Sequence, residues 1–136
     1  MTATAKDIMK PAVTKGPDAR LSEIASTMET LRISIIPIVN QDNNLVGVVS
    51  KTDLVHVILA KNQEWDELTA EEAMSPAVVS CEPSSALSDV AALMQDNRIH
   101  HVLVMGEDGS VNVISALDLT TPLLRAYEMI VHNQSR

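Results

Sequence analysis

Met9-Lys10-Pro11-Ala12-Val13 recurs 65 residues later as Met74-Ser75-Pro76-Ala77-Val78, and the similarity continues beyond this stretch. Further matches at offsets of 65 or 66 residues are Leu21/Leu87, Ser22/Ser88, Ala25/Ala91, Met28/Met94, Arg32/Arg98, Ile33/Ile99, Ser50/Ser115, Asp53/Asp118 and Leu54/Leu119. Similarity that keeps nearly one offset over a long stretch indicates an internal repeat, because chance matches would be scattered. The chain is therefore predicted to be two copies of one unit of roughly 60 residues.

Each copy has the same succession of hydrophobic patterns. Apolar residues at i, i+3, i+4 and i+7, counted from Leu21 and from Leu87, predict an amphipathic central helix. Two β-rich runs around a turn-forming segment follow and predict a β-hairpin, over residues 35–49 and 101–114. A closing helix is predicted over residues 52–61 and from 117 to about 131, with a restart or kink at Pro122.

The predicted fold class is α/β, of the α+β type, with two βαββα repeats. We place the first repeat at residues 7–61 and the second at residues 72–131, with a helical connector at 62–71 that is polar and acidic. One repeat alone would leave a face of its sheet uncovered. We therefore expect the two repeats to pack sheet to sheet with pseudo-twofold symmetry, as one globular module.

The composition limits the partners and the compartment. A formal net charge of −8 disfavours binding to duplex nucleic acid through a broad basic surface. The sequence has one Trp, one Tyr and no Phe, so few aromatic rings are present to stack on the bases of single-stranded nucleic acid. Cys81 is the one cysteine, so no intramolecular disulfide can form. No apolar run approaches the roughly 20 residues that cross a bilayer, and the first residues lack the apolar core of a secretory signal. We expect a cytoplasmic protein without membrane insertion.

The order of elements, with Met-x-Pro ahead of each first strand and Ser-x-x-Asp at each closing helix, resembles the CBS domain, the repeat named after cystathionine β-synthase. The resemblance covers about Asp7 to Leu124. It implies that the two CBS repeats pack into a disc, that the disc often forms a homodimer, and that many members bind AMP, ADP, ATP or S-adenosylmethionine in clefts between repeats. On this basis we predict a regulatory module that senses an adenosyl ligand, requires no cofactor, and acts on a protein partner that the sequence does not name.

The family's phosphate and ribose motif is a hydrophobic residue, Ser or Thr, two further residues and Asp. The residues at which the resemblance places ligand contacts are Ser50, Lys51, Thr52, Asp53, Ser115 and Asp118. An ionised Asp can accept both hydroxyls of a ribose, and hydroxyls and free amides at a helix start can donate to phosphate. The same Ser-x-x-Asp pattern is also an ordinary helix cap, so capping without a ligand is the alternative role.

The resemblance also assigns contacts outside this motif. His100 corresponds to the family's phosphate-contacting histidine, and His101 replaces its usual arginine. Strand alternation sends these two side chains to opposite faces, so the alternative is one exposed and one buried, hydrogen-bonded histidine. The residues that correspond to contacts with the base, or to positions beside it, are Thr14, Ile36, Pro37, Val79, Ser80 and Val102.

The two copies depart differently from the family pattern. Gly47 and Pro37 carry the family's glycine and proline in the first copy, whereas Asn112 and Leu103 stand at these positions in the second. The phosphate-contacting histidine, in contrast, is present in the second copy and replaced in the first. We therefore expect the two clefts to differ.

Other site chemistries have little support in the sequence. His100 and His101 are the histidines closest in sequence, and neighbours on a strand point apart, so we predict no metal site. Cys81 has no neighbouring base to activate it, and we predict no catalysis. The alternative to ligand sensing is a structural module that dimerises without a ligand, through apolar positions of the closing helix such as Leu124 and Tyr127.

Overall fold

The computed structural model describes residues 3–76 and 78–134. In this part of the chain the α-helices are α1 (Ala5–Ile8), α2 (Leu21–Leu31), α3 (Lys51–Lys61), α4 (Ala70–Ala73), α5 (Leu87–Asn97) and α6 (Thr120–Gln134). The strands are β1 (Lys10–Pro11), β2 (Ile35–Val39), β3 (Leu45–Ser50), β4 (Ser80–Cys81), β5 (His101–Met105) and β6 (Val111–Ser115), and 3₁₀ helices span Asn62–Glu67 and Ala116–Leu119. The predicted central helices, hairpins and closing helices are present, and the mixed α/β fold class is confirmed.

The chain forms two compact units whose limits differ from those of the predicted repeats. The first unit is Ala12–Val78, and the second unit joins the chain up to Pro11 with the chain from Val79 onward. Each Met-x-Pro segment therefore belongs to the compact unit of the other repeat. The segment at residues 9–11 belongs to the second unit, and the segment at residues 74–76 belongs to the first.

Backbone pairing accounts for this exchange. In the second unit β1 runs antiparallel to β6, with Lys10 opposite Val113. In the first unit the Ser75 amide donates to the Val48 carbonyl at 2.8 Å, and the Val48 amide donates to the Ser75 carbonyl at 3.0 Å. Positions 10 and 75 correspond in the repeat, as do positions 113 and 48. Each Met-x-Pro segment thus makes the same backbone contact, with the hairpin of the other copy.

The core of the first unit lies between one hairpin and its helices. Strands β2 and β3 are antiparallel, with Ile35 opposite Ser50, and they contact α2 and α3. The buried side chains that form this core are Leu21, Ile24, Met28, Ile36, Ile38, Val49, Leu54 and Ala70. Removing these side chains from water stabilises the unit, and it fixes the end of β3 against the start of α3.

The second unit has a larger sheet. Its strand order is β1-β6-β5-β4, in which β4 runs parallel to β5 and the other neighbours are antiparallel. The buried side chains of its core are Ala5, Val90, Met94, Val102, Val104, Ile114 and Leu119. This core fixes the end of β6, from which the second Ser-x-x-Asp motif begins.

Both central helices end on an arginine in the left-handed conformation. Arg32 follows α2 with a φ of 56°, and Arg98 follows α5 with a φ of 54°. Glycine is favoured at such a position because a Cβ crowds the backbone, at a cost of about 1 kcal/mol. The two copies therefore end their central helices in the same way.

The two closing helices begin differently. Helix α3 follows β3 directly, whereas a 3₁₀ turn precedes α6, which begins at Thr120. Pro122 lies in the first turn of α6, where a backbone N–H has no acceptor within the helix, so the proline ring costs no hydrogen bond. The predicted restart at Pro122 is displaced by two residues: the 3₁₀ helix gives way to α6 at Thr120, and α6 continues through Pro122. Of the described helices, none combines the length and the apolar character that crossing a membrane requires.

Candidate functional site

The first copy of the Ser-x-x-Asp motif lies where β3 ends and α3 begins. The Ser50 amide donates to Oδ2 of Asp53 at 2.8 Å, and the Ser50 hydroxyl donates to the same oxygen at 3.0 Å. In return, the Asp53 amide donates to Oγ of Ser50 at 3.2 Å. These reciprocal bonds form a capping box, which satisfies amides that have no partner inside the helix.

The capping bonds leave half of the Asp53 carboxylate unused. All of them reach Oδ2, and within residues 3–76 and 78–134 no side chain or amide donates to Oδ1. Asp53 is half-buried, while Lys51 and Thr52 are exposed on the first turn of α3. The first copy therefore presents an acceptor, and a lysine close to it in sequence, at the positive end of a helix.

The second copy has the same cap and one additional contact. The Ser115 amide donates to Oδ2 of Asp118 at 2.8 Å, and the Asp118 amide donates to Oγ of Ser115 at 3.2 Å. The Lys10 ammonium lies 3.0 Å from Oδ1 of Asp118, so both carboxylate oxygens are engaged. Partial burial raises the pKa of Asp118, but the bonds from Ser115 and Lys10 outweigh this effect and hold the pKa below its ordinary value of 3.8.

The capping role of the motif is therefore confirmed in both copies. Such a cap contributes about 1 kcal/mol to stability. In the first copy the cap uses Oδ2 of Asp53, and Oδ1 accepts no hydrogen bond from the described residues. In the second copy any further donor to Oδ1 of Asp118 would compete with Lys10.

The two histidines of the second copy have different surroundings. His101 is half-buried and lies opposite Ser115 in the pairing of β5 and β6, whereas His100 is exposed. Burial lowers the pKa of His101 below its ordinary value of 6.5, the charge of His100 lowers it further, and the charge of Asp118 opposes both. The fold therefore favours neutral His101 beside the second motif.

His100 belongs to a separate feature, a shallow cleft of about 480 Å³ in the second unit. The residues that line this cleft are Ala91, Met94, Gln95, Arg98, Ile99, His100, Ala116 and Leu119. Most of the lining is apolar, while Arg98 brings a cation and His100 a ring nitrogen. An apolar floor with a guanidinium at its side suits an organic anion.

Comparison with known proteins connects this geometry to a family. The family model of the CBS domain matches residues 5–60 and 70–133. The chain belongs to the CBS domain family. The two matched segments make it a tandem CBS pair, as the internal repeat predicts.

The CBS pair has relatives in bacteria and archaea. Hypoxic response protein 1 of Mycobacterium tuberculosis is 26% identical over 121 residues, which cover 88% of this chain and 85% of that protein. Uncharacterized proteins of Methanopyrus kandleri and Methanocaldococcus jannaschii are 24% and 26% identical over 81% and 83% of this chain. The chain spans 57% and 40% of the lengths of these two archaeal relatives.

Solved structures confirm the fold of the CBS pair. A CBS-domain containing protein from Agrobacterium tumefaciens has a TM-score of 0.81 at 25% identity, covering 89% of this chain and 93% of that chain. The CBS domain pair of protein MJ0100, solved in complex with 5′-methylthioadenosine and S-adenosyl-L-methionine, has a TM-score of 0.79 at 26% identity. That likeness covers 90% of this chain and 97% of the other.

The residues that the resemblance places beside an adenine base fall into two groups in this CBS pair. Fully buried are Ile36, Pro37 and Val102; exposed or half-buried, ahead of the central helices, are Thr14, Val79 and Ser80. Ile36 and Val102 belong to the cores of their units. A side chain that is enclosed in a core can touch a ligand only if the residues around it move. The contacts of all six residues with an adenine base therefore stay predictions.

Two residues of the site were missed by sequence reasoning. Arg98 lines the cleft, whereas its match with Arg32 at the end of the central helix had indicated only a cation that complements the helix dipole. Lys10 reaches Asp118, and no local pattern indicates this contact because the two residues lie at opposite ends of the chain. The pairing of β1 with β6 is what brings them together.

Metal binding and thiol chemistry gain no support from the described residues. Within residues 3–76 and 78–134, no three His, Cys, Asp or Glu side chains come together as a metal site would require. Burial raises the pKa of the Cys81 thiol, a hydrogen bond from Ser85 offsets part of this rise, and the charge of Glu82 adds to it. The thiol is thus held in its less reactive, protonated form.

The surroundings of His101 predict a pH-dependent stability. Below pH 6.5, the ordinary pKa of histidine, His101 binds a proton more readily in the unfolded chain than in the folded protein. The free energy of unfolding should therefore fall as the pH drops through this value. Urea denaturation at several pH values between about 8 and about 5 measures this fall. We expect His101→Gln to reduce the fall, and His56→Gln, at an exposed position of α3, to leave it in place. An equal pH dependence in all three proteins would contradict the prediction.

Proposed function

We propose that this CBS pair is a regulatory module rather than a catalyst, and that it binds an adenosyl ligand such as AMP, ADP, ATP or S-adenosylmethionine through its Ser-x-x-Asp motifs. Binding then changes the packing of the module, and with it a protein partner, as far as the ligand's affinity differs between the two states. We place this activity in the cytoplasm, which suits a chain whose one cysteine cannot form an internal disulfide.

The observation that carries this proposal is that Oδ1 of Asp53 accepts no hydrogen bond from the described part of the chain. A carboxylate oxygen accepts hydrogen bonds from vicinal hydroxyls, as a ribose presents them. The Asp53 side chain is already oriented by two hydrogen bonds, from the amide and the hydroxyl of Ser50, so little conformational freedom remains to be lost when a ligand binds.

Cationic groups near each motif suit the charged part of a nucleotide. Lys51 lies on the first turn of α3, where the helix dipole also favours an anion. In the second unit Arg98 lines the cleft together with His100. The backbone of Arg98 is left-handed, a conformation in which glycine would be less strained than arginine. These local groups offset an overall charge that is negative.

A relative supports the choice of ligand class. The CBS domain pair of protein MJ0100 holds 5′-methylthioadenosine and S-adenosyl-L-methionine, and it resembles this chain over nearly the full length of both. An adenosyl group is common to these two compounds and to AMP, ADP and ATP. We therefore expect the adenosyl group, rather than the phosphates, to be the recognised part.

A titration of the purified protein tests the proposal. Thermal unfolding is followed with AMP, ADP, ATP, S-adenosylmethionine and, as a control base, GTP. A ligand at about 100 times its dissociation constant stabilises the folded state by about 2.7 kcal/mol, which raises the melting temperature by several degrees. Stabilisation by adenosyl compounds and not by GTP is the expected result. No stabilisation by any of them would contradict the proposal and favour the structural alternative.

Dimerisation is the second function that we propose, and the apolar face of α6 favours it. Exposed apolar side chains along one side of this helix are Leu123, Leu124, Tyr127, Ile130 and Val131, at 42–64% exposure. A continuous apolar face of this kind marks an interaction surface. A second copy of the chain is the partner that we propose, in line with the homodimers that the resemblance implies.

The dimer proposal predicts the effect of charges on this face. Leu124→Glu combined with Tyr127→Glu should convert a dimer into a monomer, because four buried carboxylates would have to lose their hydration at a symmetric interface. Sedimentation velocity measures the change in mass. Arg125→Glu lies on the opposite side of α6 and should leave the dimer intact. A wild-type protein that sediments as a monomer at high concentration would overturn the proposal.

A further inference from the structure

We propose that Lys10 occupies the second copy of the motif in place of a ligand, and that the copy around Asp53 is for this reason the tighter site for an adenosyl ligand. This inference rests on the proposed function, since it names which copy binds and which residue decides it. It concerns a residue outside the motif, and the contact exists because the Met-x-Pro segments have exchanged units.

The two copies offer the same backbone position for a side chain that reaches the aspartate. Lys10 lies opposite Val113 in β6, five residues before Asp118. Ser75 forms its bridge with Val48 in β3, five residues before Asp53. The register is thus equivalent, and the difference between the copies is the side chain, a lysine in one and a serine in the other.

The lysine changes the state of its aspartate. In the second copy Oδ2 of Asp118 accepts from the Ser115 amide at 2.8 Å, and Oδ1 lies 3.0 Å from the Lys10 ammonium. In the first copy the bonds to Asp53 from the described chain all reach Oδ2. A ribose hydroxyl can therefore bond to Oδ1 of Asp53 without competition from the described residues, whereas at Asp118 it competes with an ammonium for Oδ1.

The exposure of the pair sets the size of this effect. The Lys10 side chain is 70% exposed and that of Asp118 is 16% exposed, so the ion pair lies at the surface and is screened by water and salt. Exposed ion pairs of this kind change an equilibrium constant, here the dissociation constant of a ligand at the second copy, by about two- to fivefold. Lys10 thus acts as a weak competitor that ranks the two sites, not as a permanent block.

Reciprocal substitutions test the inference on the full chain. Asp53→Ala isolates the second copy, and in that background Lys10→Ser should tighten the binding of AMP by about two- to fivefold at low salt. Asp118→Ala isolates the first copy, and there Ser75→Lys should weaken AMP binding by a similar factor. Isothermal titration calorimetry measures both, and added NaCl should shrink both differences. Lys6→Ser, which removes one positive charge from exposed α1 without touching Asp118, controls for net charge.

The outcomes distinguish the role of Lys10 from the proposed binding of an adenosyl ligand. Opposite shifts from Lys10→Ser and Ser75→Lys, with Lys6→Ser unchanged, support the role of Lys10. AMP binding that Lys10→Ser leaves unchanged or weakens overturns that role and leaves the proposed function standing. The absence of AMP binding in the wild type and in every variant, with unfolding transitions that show folded protein, overturns both.

Discussion

Asp53→Ala should weaken the binding of AMP and of S-adenosylmethionine at the first copy of the motif by at least about a hundredfold, since each hydrogen bond to a charged group contributes about 1.5–3 kcal/mol. Oδ1 of Asp53, which accepts no hydrogen bond from the described residues, is the acceptor for the ribose hydroxyls in the proposed complex, and alanine removes it. Isothermal titration calorimetry measures the loss directly. The corresponding change Asp118→Ala is expected to have the smaller effect, because Lys10 already engages Oδ1 of Asp118.

Asp53→Ala also removes a helix cap, so its control is a second cap in the same unit. The Thr69 amide donates to Oε1 of Glu72 at 3.2 Å and the Thr69 hydroxyl at 3.1 Å, which is the same capping box at the start of α4. Glu72→Ala and Asp53→Ala should each cost about 1 kcal/mol of stability, but Asp53→Ala alone should remove the tighter of the two binding steps, the one at the first copy. If both variants bind like the wild type, the aspartate is a cap and nothing more.

Gly47→Asn is expected to lower the free energy of unfolding by about 2 kcal/mol or more, as overpacking of a closed site does. A Cβ at position 47 would lie 2.7 Å from Sδ of Met74 and 2.9 Å from the backbone carbonyl oxygen of Ser75. The Met74 side chain can turn away, but the Ser75 carbonyl is held by the hydrogen bond from Val48. The Met-x-Pro segment at residues 74–76 would have to leave its place. Urea denaturation measures the loss.

Asparagine is an informative replacement because it is native at the corresponding position. In the second unit Asn112 is buried, and its Nδ2 donates to Oγ of Ser110 at 3.2 Å and to the Val104 carbonyl at 3.4 Å. Gly16→Asn is the matched control in the first unit, since a Cβ there meets nothing closer than the Val39 carbonyl oxygen at 4.0 Å. We expect Gly16→Asn to change stability by less than about 0.5 kcal/mol. Equal losses from both substitutions would show that close packing at Gly47 is not the cause.

Local patterns in the sequence were sufficient for the elements of each repeat. The apolar spacing from Leu21 and from Leu87 predicted α2 and α5, and the turn-forming segments between β-rich runs predicted both hairpins. These signals are reliable because helix and strand periodicity depends on neighbours within a few residues. The same holds for the two Ser-x-x-Asp motifs, whose capping bonds join residues three positions apart.

The boundaries of the compact units lay outside the reach of such patterns. The sequence repeat assigns residues 9–11 to the first copy, but their backbone pairs with β6 of the second. Offsets in a repeat record similarity, and they do not record which copy supplies the partner strand. The contact between Lys10 and Asp118 depends on this exchange and was therefore not predicted.

By itself, the sequence determined two α/β repeats of the CBS family and placed a Ser-x-x-Asp motif at the start of each closing helix. Both facts follow from residues that are close in the chain, where periodicity and capping act. The tertiary structure alone decided that Asp118 is engaged by Lys10 while Oδ1 of Asp53 has no donor from the described chain, and that Arg98 and His100 line one cleft. These features depend on which distant segments pair and pack, and that choice is made by the hydrogen bonds and the core of the folded chain.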